Sequence, residues 1–197
     1  NDTLQGSDGK NAWSITSEET SLTVSVDPSN SYVTTFTGID KLIGGSNVDT
    51  FNITAAFTGD IEGGDGDDVF TVQAEVGKLF GNAGNDSFIM GSGGIATLID
   101  GGDGANETNT LIGQDIANTW VIGDTSFLSA TPADSSPASS ETAYVKSFTG
   151  INQLVGGTGA DHFIIGVNGF VGSINGGEGN DTLQGSDGKN AWSITSE

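Results

Sequence analysis

Apolar residues alternate with polar residues in short segments of this chain, and glycine-rich turns separate the segments. The clearest segments read DTFNI, DVFTV and DSFIM, in residues 49–53, 68–72 and 86–90. Alternation of this kind is typical of β-strands, because successive side chains of a strand point to opposite faces. The apolar positions have no 3.6-residue period and glycine interrupts them repeatedly, so we expect no helices.

The glycine-rich turns recur at a nearly constant interval. Glycine pairs, or Gly-Asn in one case, begin at residues 44, 63, 81 and 101, and pairs at 156 and 176 are again 20 residues apart. An apolar residue stands two positions before each pair: Leu42, Ile61, Leu79, Ile99, Leu154 and Ile174. A short regular period indicates stacked structural repeats, because one such repeat cannot bury its apolar face alone. The pattern predicts an all-β fold, a parallel β-solenoid with coils of 18–20 residues and inward-facing Phe side chains stacked in a column.

A second, longer repeat encloses the first. Residues 1–18 and 180–197 are identical, at an offset of 179 residues. This identity predicts one continuous β-solenoid over residues 1–197, taken from a tandem array of 179-residue units. Within the unit, NAWSI resembles NTWVI, and residues 32–53 resemble 144–165. These likenesses divide the unit into sub-blocks 11–117 and 118–190.

Each Trp strand is followed by a polar stretch. The second stretch, in residues 124–142, is rich in Ser, Ala and Pro and is expected to form a projecting loop. The three Trp residues are expected in the core or at block boundaries, not on a ligand platform.

The charge of the chain excludes several partners. It has 26 acidic residues, five Lys and no Arg, which gives a net charge of −21. Such a surface repels nucleic acid and anionic membranes, and it attracts cations. No apolar run approaches the length of a membrane span, so no membrane insertion is expected. The absence of Cys rules out disulfide bonds and leaves the redox compartment open.

One motif points to metal chemistry. GGDGDDVFT, in residues 63–71, fits the nonapeptide G-G-x-G-x-D-x-U-x, where U is a large apolar residue. Residues 156–164 and 176–184 fit it too, residues 44–52 and 81–89 each lack one Gly, and residues 101–109 lack the Asp. On these motifs the chain resembles the repeats-in-toxin family of calcium-binding β-rolls.

The resemblance implies calcium ligands at the sixth position of each motif. These ligands are Asp49, Asp68, Asp86, Asp161 and Asp181, with Asp2 equivalent to Asp181. Backbone carbonyls of the glycine corners would complete the six to eight oxygens that Ca²⁺ takes. In the family both halves of each coil carry the motif, whereas here one half does, so calcium is expected along one edge. The alternative is that the motif is only a tight turn, with Asp hydrogen-bonded to the backbone.

The expected function is structural. Gly-rich tandem repetition resembles the arrays of large bacterial adhesins, which implies a stalk, adhesin or filament rod that is secreted or displayed on the bacterial surface. The expected partners are neighbouring copies of the repeat, with possible self-assembly into a filament, and a glycan or other surface ligand.

The alternative function is a polysaccharide-binding β-helix module. Lyases and epimerases on such folds generally place Arg, Lys, His or Tyr in a groove, whereas this chain has no Arg and one His. That residue, His162, precedes the inward Phe163, and the matching positions elsewhere hold Thr, Val or Ser. No enzymatic activity is therefore expected.

Overall fold

The computed structural model describes residues 2–16, 20–27, 30–123, 126–130 and 143–191, with the backbone alone for 20–27 and 30–34. The described residues form strands and turns and contain no helix, which confirms the predicted all-β class. The strands, in chain order, are β1 (Thr3–Gln5), β2 (Lys10–Ile15), β3 (Thr20–Asp27), β4 (Asn30–Phe36), β5 (Lys41–Gly45), β6 (Thr50–Ile53), β7 (Asp60–Asp65), β8 (Val69–Val72), β9 (Glu75–Ala83), β10 (Ser87–Met90), β11 (Ile95–Asp100), β12 (Thr110–Ile112), β13 (Asn118–Ile122), β14 (Phe127–Ala130), β15 (Phe148–Thr149), β16 (Gln153–Val155), β17 (His162–Ile165), β18 (Ser173–Asn175) and β19 (Thr182–Gln184).

These strands form three sheets. The first sheet has the order β1-β5-β7-β9-β11-β15, the second β18-β16-β12-β10-β8-β6-β2-β3-β4, and the third β14-β13-β17-β19. Neighbouring strands are parallel except for the pairs β2–β3, β3–β4 and β13–β14. Parallel neighbours cannot be joined by a tight hairpin, so the chain must leave each sheet and return to it.

From β5 to β12 the chain alternates between the first and second sheets, so consecutive strands of one sheet are separated by a strand of the other. The register is the one that the sequence period predicts. Phe51 pairs with Phe70, and Phe70 pairs with Phe88. In the first sheet, Leu42 pairs with Ile61 in the same way.

The later part of the chain uses a different pair of sheets. A glycine-containing turn at residues 113–117 leads from β12 in the second sheet to β13 in the third. Strands β16 to β19 then alternate between these two sheets after β15 has returned to the first. Similar turn sequences therefore connect the first sheet to the second early in the chain and the second to the third later.

Two antiparallel excursions interrupt the parallel arrangement. Strands β3 and β4 follow β2 and extend the second sheet, where the sequence suggests only a polar stretch. Strand β14 folds back on β13 in the third sheet. The projecting loop predicted at residues 124–142 lies mostly outside the described residues, apart from β14 itself.

Stacked aromatic rings run through the core. Trp13 lies parallel to Phe51 at a centroid separation of 5.6 Å, and the separations Phe51–Phe70 and Phe70–Phe88 are both 4.8 Å. A second stack pairs Trp120 with Phe163 at 5.3 Å. All six rings are at most 2% exposed, which confirms the core position predicted for Trp13 and Trp120. Trp192 lies outside the described residues.

Truncation of the central ring tests whether the column supports the fold. We expect Phe70→Ala to lower the free energy of unfolding by about 3–5 kcal/mol, because it removes a fully buried ring and leaves a cavity. Asn52→Ala, at an exposed position of the adjacent strand, should change it by less than about 0.5 kcal/mol. Denaturant unfolding of both variants measures the difference, and equal values would contradict a continuous core.

Candidate functional site

The five predicted metal ligands all stand at turns between sheets. We call each of these turns a corner and number its residues from the first Gly. Asp49, Asp68 and Asp86 end corners between the first and second sheets, whereas Asp161 and Asp181 end corners between the second and third. The sequence pattern predicts a single edge for these residues. The structure places them on two edges, because the later corners join a different pair of sheets.

Close packing explains the first Gly of the corner. A Cβ atom added to Gly63 would lie 2.1 Å from Asp68 Oδ2, and one added to Gly44 would lie 2.2 Å from Asp49 Oδ2. The second Gly is required for its backbone conformation, since Gly64 has φ +116° and its added Cβ would meet a carbonyl oxygen at 2.0 Å. The corner therefore brings the Asp carboxylate against the backbone, where any larger residue would collide with it.

One oxygen of each Asp links neighbouring corners. Asp49 N donates to Asp68 Oδ1 at 2.7 Å, and Asp68 N donates to Asp86 Oδ1 at 2.9 Å. Asn residues continue the series at both ends, with Asn11 N donating to Asp49 Oδ1 and Asp86 N donating to Asn109 Oδ1. Asn109 N in turn donates to Asn152 Oδ1 at 2.9 Å. The result is an uninterrupted hydrogen-bonded series, which we call the first ladder.

A second ladder follows the corners between the second and third sheets. Asn118 N donates to Asp161 Oδ1 at 2.8 Å, and Asp161 N donates to Asp181 Oδ1 at 2.9 Å. Tyr144 lies at the start of this ladder, where its hydroxyl group donates to Asn118 Oδ1 at 2.6 Å. The backbone N–H groups at these corners are thereby satisfied inside the protein.

Sequence reasoning missed the Asn members of both ladders. Asn11 and Asn118 stand at the sixth position of GSDGKN and GQDIAN, so the six-residue spacing was a usable signal. Asn109 stands three residues later than the motif requires, within GGDGANETN, and spacing does not reveal it. Position six therefore requires a short side chain with a carbonyl-type acceptor, and either Asp or Asn meets that requirement.

The Asn corners show what faces the second atom of this side chain. Asn11 Nδ2 donates to the carbonyls of Ser7 and Gly9 at 2.9 Å and to that of Gly44 at 3.2 Å. Asn118 Nδ2 makes the equivalent three bonds, to Gln114, Ile116 and Gly156. These carbonyls belong to positions two and four of the same corner and position one of the next. We call the three oxygens the carbonyl cradle.

In the Asp corners an oxygen occupies the place of that amide nitrogen. The Oδ2 atoms of Asp49, Asp68, Asp86 and Asp161 are buried and have no hydrogen-bond partner among the described residues. A Cβ added to Gly44 would lie 2.2 Å from both Asp49 Oδ2 and Gly63 O, so this carboxylate oxygen and the next corner's carbonyl oxygen lie on the same side of Gly44. An oxygen in this position requires a proton or a cation, because buried acceptors without a donor are costly.

Burial is reflected in the acidity of these groups. The pKa of Asp68 is raised from 3.8 to about 8, chiefly by desolvation. The hydrogen bond from Asp49 N opposes this shift, and the charges of Asp86, Asp49 and Asp67 contribute to it. Desolvation likewise raises the pKa values of Asp49 and Asp86 to about 6 and raises that of Asp161. Without a bound cation, part of the first ladder is therefore protonated near neutral pH.

The residues of the cradle fit a calcium ion in chemical type. A carboxylate oxygen and backbone carbonyl oxygens are the hard ligands that Ca²⁺ prefers. No cluster of three or more His, Cys, Asp or Glu side chains able to hold a metal occurs in the described part of the chain. An ion at a corner would therefore take most of its ligands from the backbone. At Asp68 the equivalent cradle oxygens are the carbonyls of Gly64, Gly66 and Gly81.

The side chain of His162 makes its contact within the third sheet. It lies half-buried on β17 beside the buried Phe163, and its Nε2 atom is 3.2 Å from Gln184 Oε1. This contact links two neighbouring strands of the third sheet.

No protein-family model, curated protein or solved structure matches this chain. Within the described ranges, none of the structure is a helix long and apolar enough to cross a membrane.

The raised pKa values predict how the metal-free protein responds to pH. The Asp68 carboxyl binds its proton more tightly when folded, so its stabilising effect is complete below about pH 3.8 and is lost as the pH rises through about 8. We expect the melting temperature in the presence of a chelator to fall between about pH 5 and pH 8, by about 2–4 °C per kcal/mol lost. Calorimetry at several pH values measures this fall, and a rise would contradict it.

Two replacements of Asp68 test the roles of its two carboxylate oxygens separately. Asp68→Asn keeps the acceptor for Asp49 N and places an amide donor in the cradle, so it should raise metal-free stability at about pH 8 by roughly 1–3 kcal/mol. Asp68→Ala leaves the Asp49 N–H without its acceptor and should lower stability by a similar amount. Thermal melts of both variants at the same pH test this, and a destabilising Asn would show that the carboxylate has another partner.

Proposed function

We propose that this chain is a rod-forming structural segment, a parallel β-solenoid belonging to a large tandem-repeat protein that is secreted or displayed on the bacterial surface as a stalk, adhesin or filament. The observation that carries the proposal is the first ladder. Its bonds join six successive corners from Asn11 to Asn152 without a gap. Each corner thus contacts the next corner along an axis, as in a stack of coils.

The internal repetition extends this argument beyond one unit. The chain contains an 18-residue duplication at an offset of 179 residues, and each copy begins at the same place in a corner-and-strand pattern. A stack of coils can be lengthened by adding whole units, because each coil needs only its two neighbours. Repetition of a self-stacking unit is suited to spanning distance, which is the task of a stalk or filament.

The burial of the aromatic rings favours this role over the polysaccharide-binding alternative. Sugar-binding platforms need exposed aromatic faces, whereas Trp13, Trp120 and the stacked Phe rings are enclosed in the core. Among the described residues the exposed large hydrophobic side chains are aliphatic. The aromatic residues accordingly serve cohesion along the axis.

We further propose that calcium stabilises the corners. Calcium bound at Asp49, Asp68, Asp86, Asp161 and Asp181 would neutralise carboxylates that are buried or stacked in a chain of net charge −21. In a calcium-rich extracellular medium this would remove the electrostatic cost of the ladders and stiffen the rod. The support is the unpartnered Oδ2 atom at four of these positions and the carbonyl cradle that faces the equivalent atom in the Asn corners.

Calcium titration of the metal-stripped protein tests this proposal. We expect calcium to raise the melting temperature. Each bound site should add about 2.7 kcal/mol of stability when the calcium concentration is one hundred times its dissociation constant. Magnesium and sodium chloride at equal ionic strength should have a smaller effect, because Mg²⁺ demands a more rigid octahedral shell. A response equal for all three salts would indicate charge screening alone.

A matched variant identifies the ions' location. The combined substitutions Asp49→Asn, Asp68→Asn, Asp86→Asn, Asp161→Asn and Asp181→Asn should preserve the ladders and the far-ultraviolet circular dichroism spectrum while abolishing the calcium response. Replacement of the exposed Asp8 and Asp187 by Asn is the control and should leave the calcium response intact. A fivefold variant that still responds would place calcium elsewhere and leave the corners without metal.

A further inference from the structure

The two copies of the duplicated segment occupy different environments in one chain. Residues 2–12 and 181–191 have the same sequence, and both are described. Strand β1 pairs with β5, which follows it in the chain, whereas the identical β19 pairs with β17, which precedes it. A strand of this sequence can thus pair on two sides, and each copy shows the pairing on one of them.

The contacts of the two copies lie on opposite edges of that strand. At the N-terminal copy, Lys41 N donates to Asp2 O, so the following strand donates to this segment. At the C-terminal copy, Thr182 N donates to Asp161 O, so this segment donates to the preceding strand. The two sets of bonds use different backbone groups and are mutually compatible. One strand could make both sets at once, with β17 on one side and β5 on the other.

The side chains show which contacts the C-terminal copy lacks. Asn190 Nδ2 donates to Ser186 O and Gly188 O, which repeats the bonds of Asn11 within its own corner. Asn11 additionally donates to Gly44 O and Asp49 Oδ1 and is 2% exposed, whereas Asn190 is exposed. The C-terminal corner thus has the local shape already and lacks only the next corner.

The Leu residue of the duplicated segment also lacks contacts in the C-terminal copy. Leu4 pairs with Leu42 and packs against the core, whereas Leu183 is 49% exposed. Strand β19 ends the third sheet, and among the described residues no strand pairs with its outer edge. An open edge with an exposed Leu is a template for a further strand.

We propose that residues 181–191 form a docking face for a second copy of this chain, and that its occupant is the coil containing β5 and the corner 44–49 of that copy. This proposal rests on the coil stacking proposed above and specifies how one unit joins the next. Leu183 takes the place of Leu4 against Leu42 of the second copy, and Asn190 takes the place of Asn11 on its Asp49. The identity of the remaining residues continues to Glu197, outside the described residues.

The same geometry explains why free chains need not polymerise. In each chain the strand edges of β5 and β6 that would bind the docking face are already paired with that chain's own β1 and β2. A second copy can enter only by displacing a segment of identical sequence, which gains no contact. Removal of residues 1–18 exposes this edge of β5 and β6 and leaves the C-terminal copy of the segment in place. The C-terminal copy of one chain can then bind the exposed edge of the next, which produces an open head-to-tail assembly.

Three proteins test the docking face in solution: the full chain, the chain without residues 1–18, and the chain without both 1–18 and 180–197. Sedimentation velocity at two concentrations is expected to show monomers for the first and third and concentration-dependent linear oligomers for the second. The synthetic 18-residue peptide should bind the third protein and dissolve the oligomers of the second, whereas a peptide with Asp in place of Leu4 should do neither. Equal assembly of the second and third proteins, or no effect of the peptide, would overturn the proposal.

A covalent dimer provides a test that does not depend on the folding of truncated chains. Two units are joined so that residues 1–179 precede a complete chain, and amide hydrogen exchange is followed at the junction. Gly6 N donates to Ile43 O and Asp2 N donates to Asp40 Oδ2. The amides at positions 181 and 185 of the joined chain should therefore exchange at least about tenfold more slowly than those of Asp181 and Gly185 in a single chain. Unchanged exchange at both amides would overturn the docking face. If calcium still raised stability in that case, the calcium sites proposed at the corners would stand.

Discussion

The hydrogen bond from the backbone of one corner to the side chain of the next is the interaction on which the arrangement depends. It satisfies a buried N–H that no strand pairing reaches, and it holds the corners at the spacing of the adjacent strands. In the first ladder it also links residues that are between 18 and 43 positions apart in sequence. The other regular features have the same spacing between adjacent strands. The stacked Phe rings, for example, are 4.8 Å apart.

The ladder carries an electrostatic cost that differs between its members. An Asn can satisfy both the neighbouring N–H and nearby carbonyls, as Asn109 does by accepting from Asp86 N and donating to Gly101 O and Gly150 O. An Asp accepts from the neighbouring N–H and leaves a buried oxygen without a hydrogen-bond partner. Three consecutive Asp residues occupy the middle of the first ladder, where burial raises their pKa values most clearly at Asp68. A sequence selected only for stability would place Asn there. The presence of Asp at these three positions is accordingly the feature that the proposed calcium binding would explain.

Local repetition made part of the fold and of the candidate site predictable. The register of Phe51, Phe70 and Phe88 and the sixth-position aspartates follow from spacing, because a strand of fixed length between turns of fixed length returns each residue to the same place. The sequence analysis does not predict the hairpin of β3 and β4, although SLTVSV alternates, because polar residues outnumber the apolar ones in the stretch after β2. Asn109 was missed because three extra residues displace it from the motif.

The sequence by itself determined the all-β class, the strand period and the corners, since these depend on residues within about 20 positions of one another. It also revealed the duplicated segment. Only the tertiary structure decided that the later corners join a second pair of sheets, that four of the five predicted Asp ligands are buried, and that Asn residues flank the three Asp residues of the first ladder. These features depend on which strand lies beside which, and a corner of given sequence can turn between either pair of sheets because its own backbone requirements are the same in both.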